Sequence, residues 1–279
     1  MKTFIRIGLF LLLFSSSLNC FPQGKIDRSK ADLKKSSKSS DRPSNKSSSF
    51  SSHRSDDSFE FFIFRMFAEA FVFVTYNTLI GNYEKEGHLH NDLTDSPFCD
   101  QFSGNYLGPG SDQSLSKNFR IDLDNKLLYY NDKLFGNHLK AKIRPFKYFY
   151  FQTDFVQLLE LDEANRDYSN ISLFDLNFCY DRIRLERFNL GWVLGVKYIG
   201  NELKKAGLNY GLNTDIFISH SLSLYSSMKW SLINNVAVNE FEIEGKFHRK
   251  NHFFSIGYEH FRIGTPKYDL VSLGGGIYF

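Results

Sequence analysis

The residues of this sequence that could do chemistry are few and are poorly spaced for catalysis. Ser219 and His220 are adjacent, near the end of an extended segment. Neighbouring residues of a strand point to opposite sides, so a hydrogen bond between this hydroxyl and this imidazole is geometrically unfavourable. The sequence has no G-x-S-x-G elbow, no phosphate-binding loop with a lysine and no H-E-x-x-H motif. We therefore predict no catalytic residues.

A second group of reactive side chains, His88, His90, Asp92 and Cys99, has metal-ligand chemistry. Zinc sites in loops usually combine a Cys-x-x-Cys pair with a second pair of ligands, and this spacing contains no such pair. We expect a solvated polar loop here, with no bound metal and no other cofactor.

Charged residues also recur at every second position, which is the period of a β-strand. The segment 241–248, FEIEGKFH, places Glu242, Glu244 and Lys246 on one face and apolar residues on the other. The same alternation recurs in the segments 119–124, 138–144, 148–155, 174–181, 190–198, 208–218, 221–232 and 253–259. Turn sequences separate these segments, often by only a few residues. The pattern predicts an all-β fold of about 8–10 antiparallel strands that close into an up-and-down barrel over residues 118–279.

Alternation alone leaves two kinds of barrel open. A soluble lipocalin-like barrel has its apolar face inside, whereas a membrane barrel turns that face toward lipid. The better segments reach the ~9–11 residues that a tilted strand needs to cross a bilayer. The chain also contains 30 Phe and 15 Tyr residues, many of them near strand ends, which suits an interfacial aromatic girdle. These two features favour the membrane barrel.

The last strand pattern resembles the C-terminal signal of bacterial outer-membrane β-barrels. Val271, Leu273, Ile277 and the aromatic Phe279 share one face, and Gly275 departs from the family's pattern at one apolar position. In that superfamily the barrel-insertion machinery reads the signal, and the last strand closes the barrel against the first. The resemblance implies the outer membrane of a Gram-negative bacterium, with outer-membrane lipid and the insertion machinery as partners. It implies no specific subfamily and no activity.

The charged face of the strands should then face the lumen. We predict a luminal network made of Lys140, Lys142, Arg144, Asp175, Asp181, Asp215, Lys229, Glu242, Glu244 and Lys246. One hypothesis is that these charges set the selectivity of a small channel. The favoured hypothesis is a packed ion-pair network, because side chains alone fill the interior of a barrel of about eight strands.

The N-terminal region is expected to contain four segments. Residues 1–24 have the charged, apolar and small-residue pattern of a signal peptide. Cys20 resembles the lipidated cysteine of bacterial lipoproteins, although Asn19 departs from the lipobox and later cleavage would discard it. The Ser- and Lys-rich segment 25–58 is predicted to be disordered. Residues 59–80 are predicted to form an apolar helix that lies on or against something apolar, and 81–117 a loop region.

The overall composition narrows the function to a few classes. A net charge of +3 and the absence of a basic face argue against nucleic acid as a partner. The favoured hypothesis is a non-enzymatic barrel with a structural or adhesive role or a role in small-solute passage. One alternative is a lipid-modifying barrel enzyme, because the Ser219–His220 pair faintly resembles lipid A deacylases and acyltransferases. The other alternative is the lipocalin-like carrier of an apolar ligand.

Overall fold

The computed structural model describes residues 24–35, 76–108, 111–162 and 167–279. The predicted signal peptide, the predicted lipidation of Cys20, most of the predicted disordered segment 25–58 and most of the predicted helix 59–80 lie outside these residues. The described part contains one long α-helix, a single α-helical turn at 76–79, 3-10 helices at Gly87–His90 and Gln113–Leu115, and twelve strands. Their bounds are α1 Lys25–Lys35, β1 Asp92–Leu93, β2 Tyr106–Leu107, β3 Arg120–Asn131, β4 Leu134–Arg144, β5 Tyr150–Asp162, β6 Asp167–Arg184, β7 Phe188–Ile199, β8 Lys205–Ser219, β9 Leu222–Ile233, β10 Val236–Arg249, β11 His252–Ile263 and β12 Lys267–Tyr278.

Strands β3 to β12 form a closed antiparallel barrel of ten strands in sequence order. The prediction of an up-and-down barrel of about 8–10 strands is therefore confirmed. Closure is made by β12 and β3, which pair from Val271 opposite Tyr129 to Tyr278 opposite Asp122. The pairing continues to Phe279, whose backbone N–H donates to the carbonyl of Ile121 at 2.9 Å.

Short turns hold the strands in register because the turn residues suit the required backbone. Asn234 and Asn235 join β9 to β10 with φ values of 53° and 61°. Two consecutive residues with positive φ are typical of the tight hairpin turn that matches strand twist, and asparagine tolerates this conformation best after glycine. The hairpin therefore places Ile233 directly opposite Val236.

The barrel has two ends, which we name for what they contain. The helix mouth is formed by the turns 132–133, 200–204, 234–235 and 264–266. The terminal mouth is formed by the turns 145–149, 185–187, 220–221 and 250–251, together with the start of β3 and the end of β12. No helix within the described ranges is long and apolar enough to cross a membrane.

Helix α1 lies inside the helix mouth, where the sequence predicted disorder. Ile26, Ser29 and Leu33 are completely buried. Their spacing of three and four residues puts them on one helix face. That face meets an apolar ring that points into the lumen at this end of the barrel and includes Val156, Leu158, Ile171, Leu173, Ile199, Ile233, Val238, Phe261, Ile263 and Leu270. A segment with so few apolar residues is ordered here because the barrel supplies the remaining apolar surface.

Residues 82–107 close the terminal mouth. Leu89 is buried at the rim, and the short β1–β2 pair lies across the opening. The backbone N–H of Gly104 donates to the carbonyl of Glu186 at 2.7 Å, which ties this plug to the β6–β7 turn. The region predicted as loops therefore has short strands and 3-10 turns that fit into the barrel.

Candidate functional site

The middle of the lumen contains a continuous network of buried ion pairs. The Lys126 ammonium contacts Glu242 and lies 2.7 Å from a carboxylate oxygen of Glu259. The other oxygen of Glu259 is 2.9 Å from Nδ1 of His138, whose Nε2 is 3.2 Å from Asp154. These five side chains come from strands β3, β4, β5, β10 and β11, so the network joins opposite walls of the barrel.

The network continues on the other side of the lumen through Lys229 and Lys197. Lys229 Nζ lies 3.0 Å from Asp154, 3.0 Å from Glu240 and 3.3 Å from Asp175. Lys197 Nζ lies 2.8 Å from Asp175 and 2.9 Å from Glu240. Each carboxylate is shared by two cations or by a cation and an imidazole. Such sharing offsets the large cost of removing these charges from water.

Three buried arginines hold the plug at the terminal mouth. Arg120 donates to the Asn105 amide oxygen at 2.7 Å and to the Thr94 carbonyl at 3.1 Å. Arg144 lies 3.2 Å from Asp181, which also accepts a 2.7 Å hydrogen bond from the Tyr106 hydroxyl. The same plug is held from the rim by Arg184, which donates to the Leu89 carbonyl at 2.9 Å. These contacts fix residues 89–106 inside the barrel.

A small cavity remains between the plug and the network. Its volume is about 20 Å³, which is room for one water molecule. Charged side chains of both signs surround it, among them Asp124, Lys142, Asp215 and Lys246. Lys142 also lies over the ring of Tyr225, 4.3 Å from the ring centroid. The lumen at this level is therefore packed and polar.

The outer face of the barrel is apolar around its whole circumference. Every strand presents at least one exposed large apolar side chain, for example Leu127, Leu139, Phe151, Leu176, Leu194, Leu212, Leu232, Phe247, Ile256 and Leu273 on β3 to β12 in turn. Leu127 is 66% exposed, whereas its neighbour Lys126 is completely buried. Only a lipid environment stabilises a closed barrel with its charges inside and its apolar side chains outside. The chain is a membrane β-barrel. This orientation fits the predicted outer-membrane location, and the expectation that defines a lipocalin-like carrier, an apolar interior with a polar exterior, is not met.

Solved outer-membrane barrels are the proteins to which this chain is similar. Ail of Yersinia pestis in a phospholipid nanodisc is 12% identical, with a TM-score of 0.34 over 58% of this chain and 100% of Ail. An outer-membrane channel of Pseudomonas putida F1 is 9% identical, with a TM-score of 0.33 over 62% of this chain and 100% of the channel. Comparison with family models and with curated proteins gave no match. The assignment rests on the orientation of the side chains, and no narrower subfamily follows.

The structure places the residues that the sequence predicted for the lumen on the inner face of the barrel. Nine of the ten are buried and Asp215 is half-buried, where it accepts a 3.3 Å hydrogen bond from Asn105. In the predicted insertion signal, Val271, Leu273 and Phe279 point outward and are exposed. Cys20 lies outside the described residues.

The two groups considered for catalysis and metal binding lie at the terminal mouth. His220 is exposed, and its Nδ1 is 2.9 Å from the carbonyl of Gln101. Ser219 is exposed beside it. His88, His90, Asp92 and Cys99 are spread over the plug and its rim; the carbonyl of His90 and the carboxylate of Asp92 both accept from Lys147. Burial raises the pKa of the Cys99 thiol. None of these contacts forms a catalytic pair.

Sequence reasoning missed several residues that matter in the lumen. Lys126, His138, Asp154, Lys197, Glu240 and Glu259 all belong to the ion-pair network. The alternation of segments 138–144 and 190–198 puts His138 and Lys197 on the polar face, but it assigns no partner to either residue. The apolar lining of the helix mouth was also missed, although runs such as VQLLEL (156–161) carry apolar residues on both faces.

Two buried constellations in the described residues resemble reactive sites. Ligand atoms of His138, Glu242 and Glu259 lie within 4.8 Å of one another, as in a metal site. The Lys126 ammonium contacts both carboxylates, so a protein cation already balances their charge. The Ser223 hydroxyl lies 2.7 Å from Nε2 of His248. That pair is buried among the aromatic rings of Phe98, Phe217, Phe253 and Tyr278.

Proposed function

We propose that this protein is a closed, non-conducting barrel with a structural role in the outer membrane. The observation that carries the proposal is the filling of the lumen at three levels. Helix α1 occupies the helix mouth, the ion-pair network occupies the middle, and the plug 82–107 occupies the terminal mouth. A barrel with this interior is a rigid anchor, and its partners would be the surrounding outer-membrane lipid and, during assembly, the barrel-insertion machinery.

The network argues against a selective channel because its charges are satisfied by one another. An ion that crosses the lumen at this level must displace Lys126, Lys229 or Lys197 from carboxylates that lie within about 3 Å of them. Channel sites bind strongly enough to admit an ion and weakly enough to release it. A lumen whose charged groups are shared among several partners offers no such vacant site.

Conductance measurements test the proposal. The purified full chain is reconstituted into planar bilayers, and we expect no sustained conductance steps. A double variant with Ile26→Asp and Leu33→Asp removes α1 from the helix mouth, and we expect this barrel to stay closed because the network and the plug remain. Steps from the full chain would overturn the proposal. Steps from the variant alone would replace it with small-solute passage in which α1 is the gate.

The same preparation tests the enzymatic alternative. We expect outer-membrane lipids incubated with the protein to keep their acylation pattern, because Ser219 and His220 are not hydrogen-bonded to each other. A changed pattern that a Ser219→Ala variant abolishes would show a lipid-modifying activity at this turn and would overturn the purely structural role.

A further inference from the structure

The seam at which β12 and β3 close the barrel contains two residues that break the apolar pattern of the outer wall. Asn125 is exposed on the outward face in the middle of β3, where strand alternation elsewhere places apolar side chains. Gly275 lies directly opposite it on β12. Gly275 is also the position at which the last strand departs from the signal of outer-membrane barrels. The two departures are therefore neighbours in the structure, although they are far apart in sequence.

Apolar side chains surround Asn125 on the outer wall. Leu123 and Leu127 flank it along β3 and are both exposed. Leu139 lies directly opposite it on β4, on the side away from Gly275, and is exposed as well. In a membrane barrel these leucines face hydrocarbon. The carboxamide of Asn125 therefore lies within the lipid-facing band, away from both mouths.

An amide in this position needs hydrogen-bond partners that the barrel does not supply. The side chain of Asn125 has two N–H donors and one carbonyl acceptor, and it forms no hydrogen bond within the part of the chain that the structure describes. Hydrocarbon offers no partner either, so a lone amide is costly there. Gly275 has no side chain to cover the amide from its side, which leaves it open to a second surface.

A second copy of this chain supplies a suitable partner at the required depth. Two copies that are inserted in the same orientation are related by a two-fold axis along the membrane normal, and such an axis leaves the depth of every residue unchanged. Asn125 of one copy can therefore meet Asn125 of the other. Because a carboxamide is both donor and acceptor, two identical amides form reciprocal hydrogen bonds. Any other partner would need its own polar group at this depth.

We infer that the outer wall around the closure seam is a contact between two copies of this protein in the membrane, with Asn125 of each copy paired to the other across a two-fold axis. Leu127 and Leu273 lie opposite each other beside the amide and are 66% and 62% exposed, so they give the contact an apolar surround. Pairing across the seam starts only at Val271, although β12 begins at Lys267. The second copy covers this shortened seam. The contact does not depend on whether the barrel conducts.

Energy transfer between labelled copies in lipid vesicles tests the dimer. The full chain carries Cys20→Ser, Cys99→Ser and Cys179→Ala, and a Lys250→Cys substitution at the terminal mouth takes a donor dye in one batch and an acceptor dye in the other. We expect transfer to persist as the vesicles are diluted with lipid, beyond the level that random encounters give.

Two substitutions on the outer wall test the role of the amide. Asn125→Leu should weaken the dimer roughly three- to twentyfold, because that is the contribution of a hydrogen bond between membrane-spanning segments. Thr153→Val removes an exposed polar side chain from the outward face of β5. It is the matched control and should leave the affinity unchanged. Heat-modifiable migration on gels shows that each variant is folded.

Cross-linking tests which wall forms the contact and leaves Asn125 in place, so it decides even if Asn125→Leu does not fold. In the same cysteine-free background, Leu127→Cys should be joined to its copy by a short bifunctional thiol reagent. Leu194→Cys, exposed on β7 on the far side of the barrel, is the control and should stay monomeric.

Three results would overturn the inference. Energy transfer that falls to the random level on dilution would show that the protein is a monomer and that the amide lies alone in lipid. An unchanged affinity in folded Asn125→Leu would show that the amides do not pair. Cross-linking of Leu194→Cys as strong as that of Leu127→Cys would place the contact elsewhere on the wall.

Discussion

Lys229 is the residue whose removal most directly tests the ion-pair network. Its ammonium lies within 3.3 Å of three buried carboxylates, those of Asp154, Asp175 and Glu240. In a Lys229→Met variant, Asp175 and Glu240 keep Lys197, and Asp154 keeps His138 as its ionic partner. Three carboxylates are then left with two partners, so one negative charge is buried without compensation.

The expected cost follows from that count. Removal of one partner from a buried ion pair destabilises a protein by about 3–5 kcal/mol, because the other charge stays buried. We expect a loss of this size in the free energy of unfolding, which is a factor of at least about 100 in the unfolding equilibrium constant. The double variant Lys229→Met with Asp154→Asn removes the surplus charge as well. It should therefore recover a large part of the loss.

Equilibrium unfolding in urea measures this prediction. The protein is reconstituted in detergent micelles, and unfolding is followed by Trp fluorescence and by heat-modifiable migration on gels. Lys205→Met, an exposed lysine at the helix mouth, is the control and should change stability by less than about 0.5 kcal/mol. A loss below about 1 kcal/mol for Lys229→Met, or no recovery in the double variant, would mean that water screens the lumen and that the network is not tightly packed.

Three further predictions concern other layers of the structure. Gly195→Ala should lower the free energy of unfolding by about 1–3 kcal/mol in the urea assay, because the new Cβ would lie 2.1 Å from the Leu176 carbonyl oxygen. Gly245→Ala is the matched control and should be tolerated, because no atom would lie closer than 3.9 Å to its new Cβ. Leu33→Asp, which places a carboxylate in the apolar ring, should release α1 and make it susceptible to trypsin. Hydrogen bonding from Arg182 lowers the pKa of the Glu86 carboxyl. The stabilisation that this contact gives to the chain around Glu86 is therefore present above the ordinary pKa of a glutamate and is lost as the pH falls through the lowered pKa. Cleavage after residue 85 by an acid-tolerant protease should increase over that pH range.

Each of these predictions has a result that contradicts it. Equal stability of the two glycine variants would mean that the inner face has more room than the contacts at Gly195 indicate. Continued protection of α1 in Leu33→Asp would show that its polar contacts, such as Ser29 with Tyr268, hold it without the apolar face. A Glu86→Gln variant should already be cleaved faster at neutral pH, and if its cleavage still accelerated in acid, another group would be responsible.

The sequence by itself determined the barrel because strand periodicity is a local property. Every hairpin joins neighbouring segments, and alternation assigns residues such as Glu242 and Phe247 to opposite faces without knowledge of their partners. The prediction that the barrel is surrounded by lipid followed from the aromatic content of the chain and from the pattern of residues Val271 to Phe279. Each of these signals can be read within a short window of the chain.

Only the tertiary structure decided what fills the barrel. The contacts of α1, of the plug and of the ion-pair network join residues far apart in sequence, such as Lys126 and Glu242 or Ser29 and Ile263. The sequence of 25–35 contains too few apolar residues to predict order, and it is ordered because nine of the barrel strands contribute to the apolar ring around it. Similarly, Arg182 looks like an ordinary surface arginine until closure of the barrel places it beside the carbonyls of residues 77 and 78. Whether a side chain has a partner depends on this long-range geometry, which no local pattern contains.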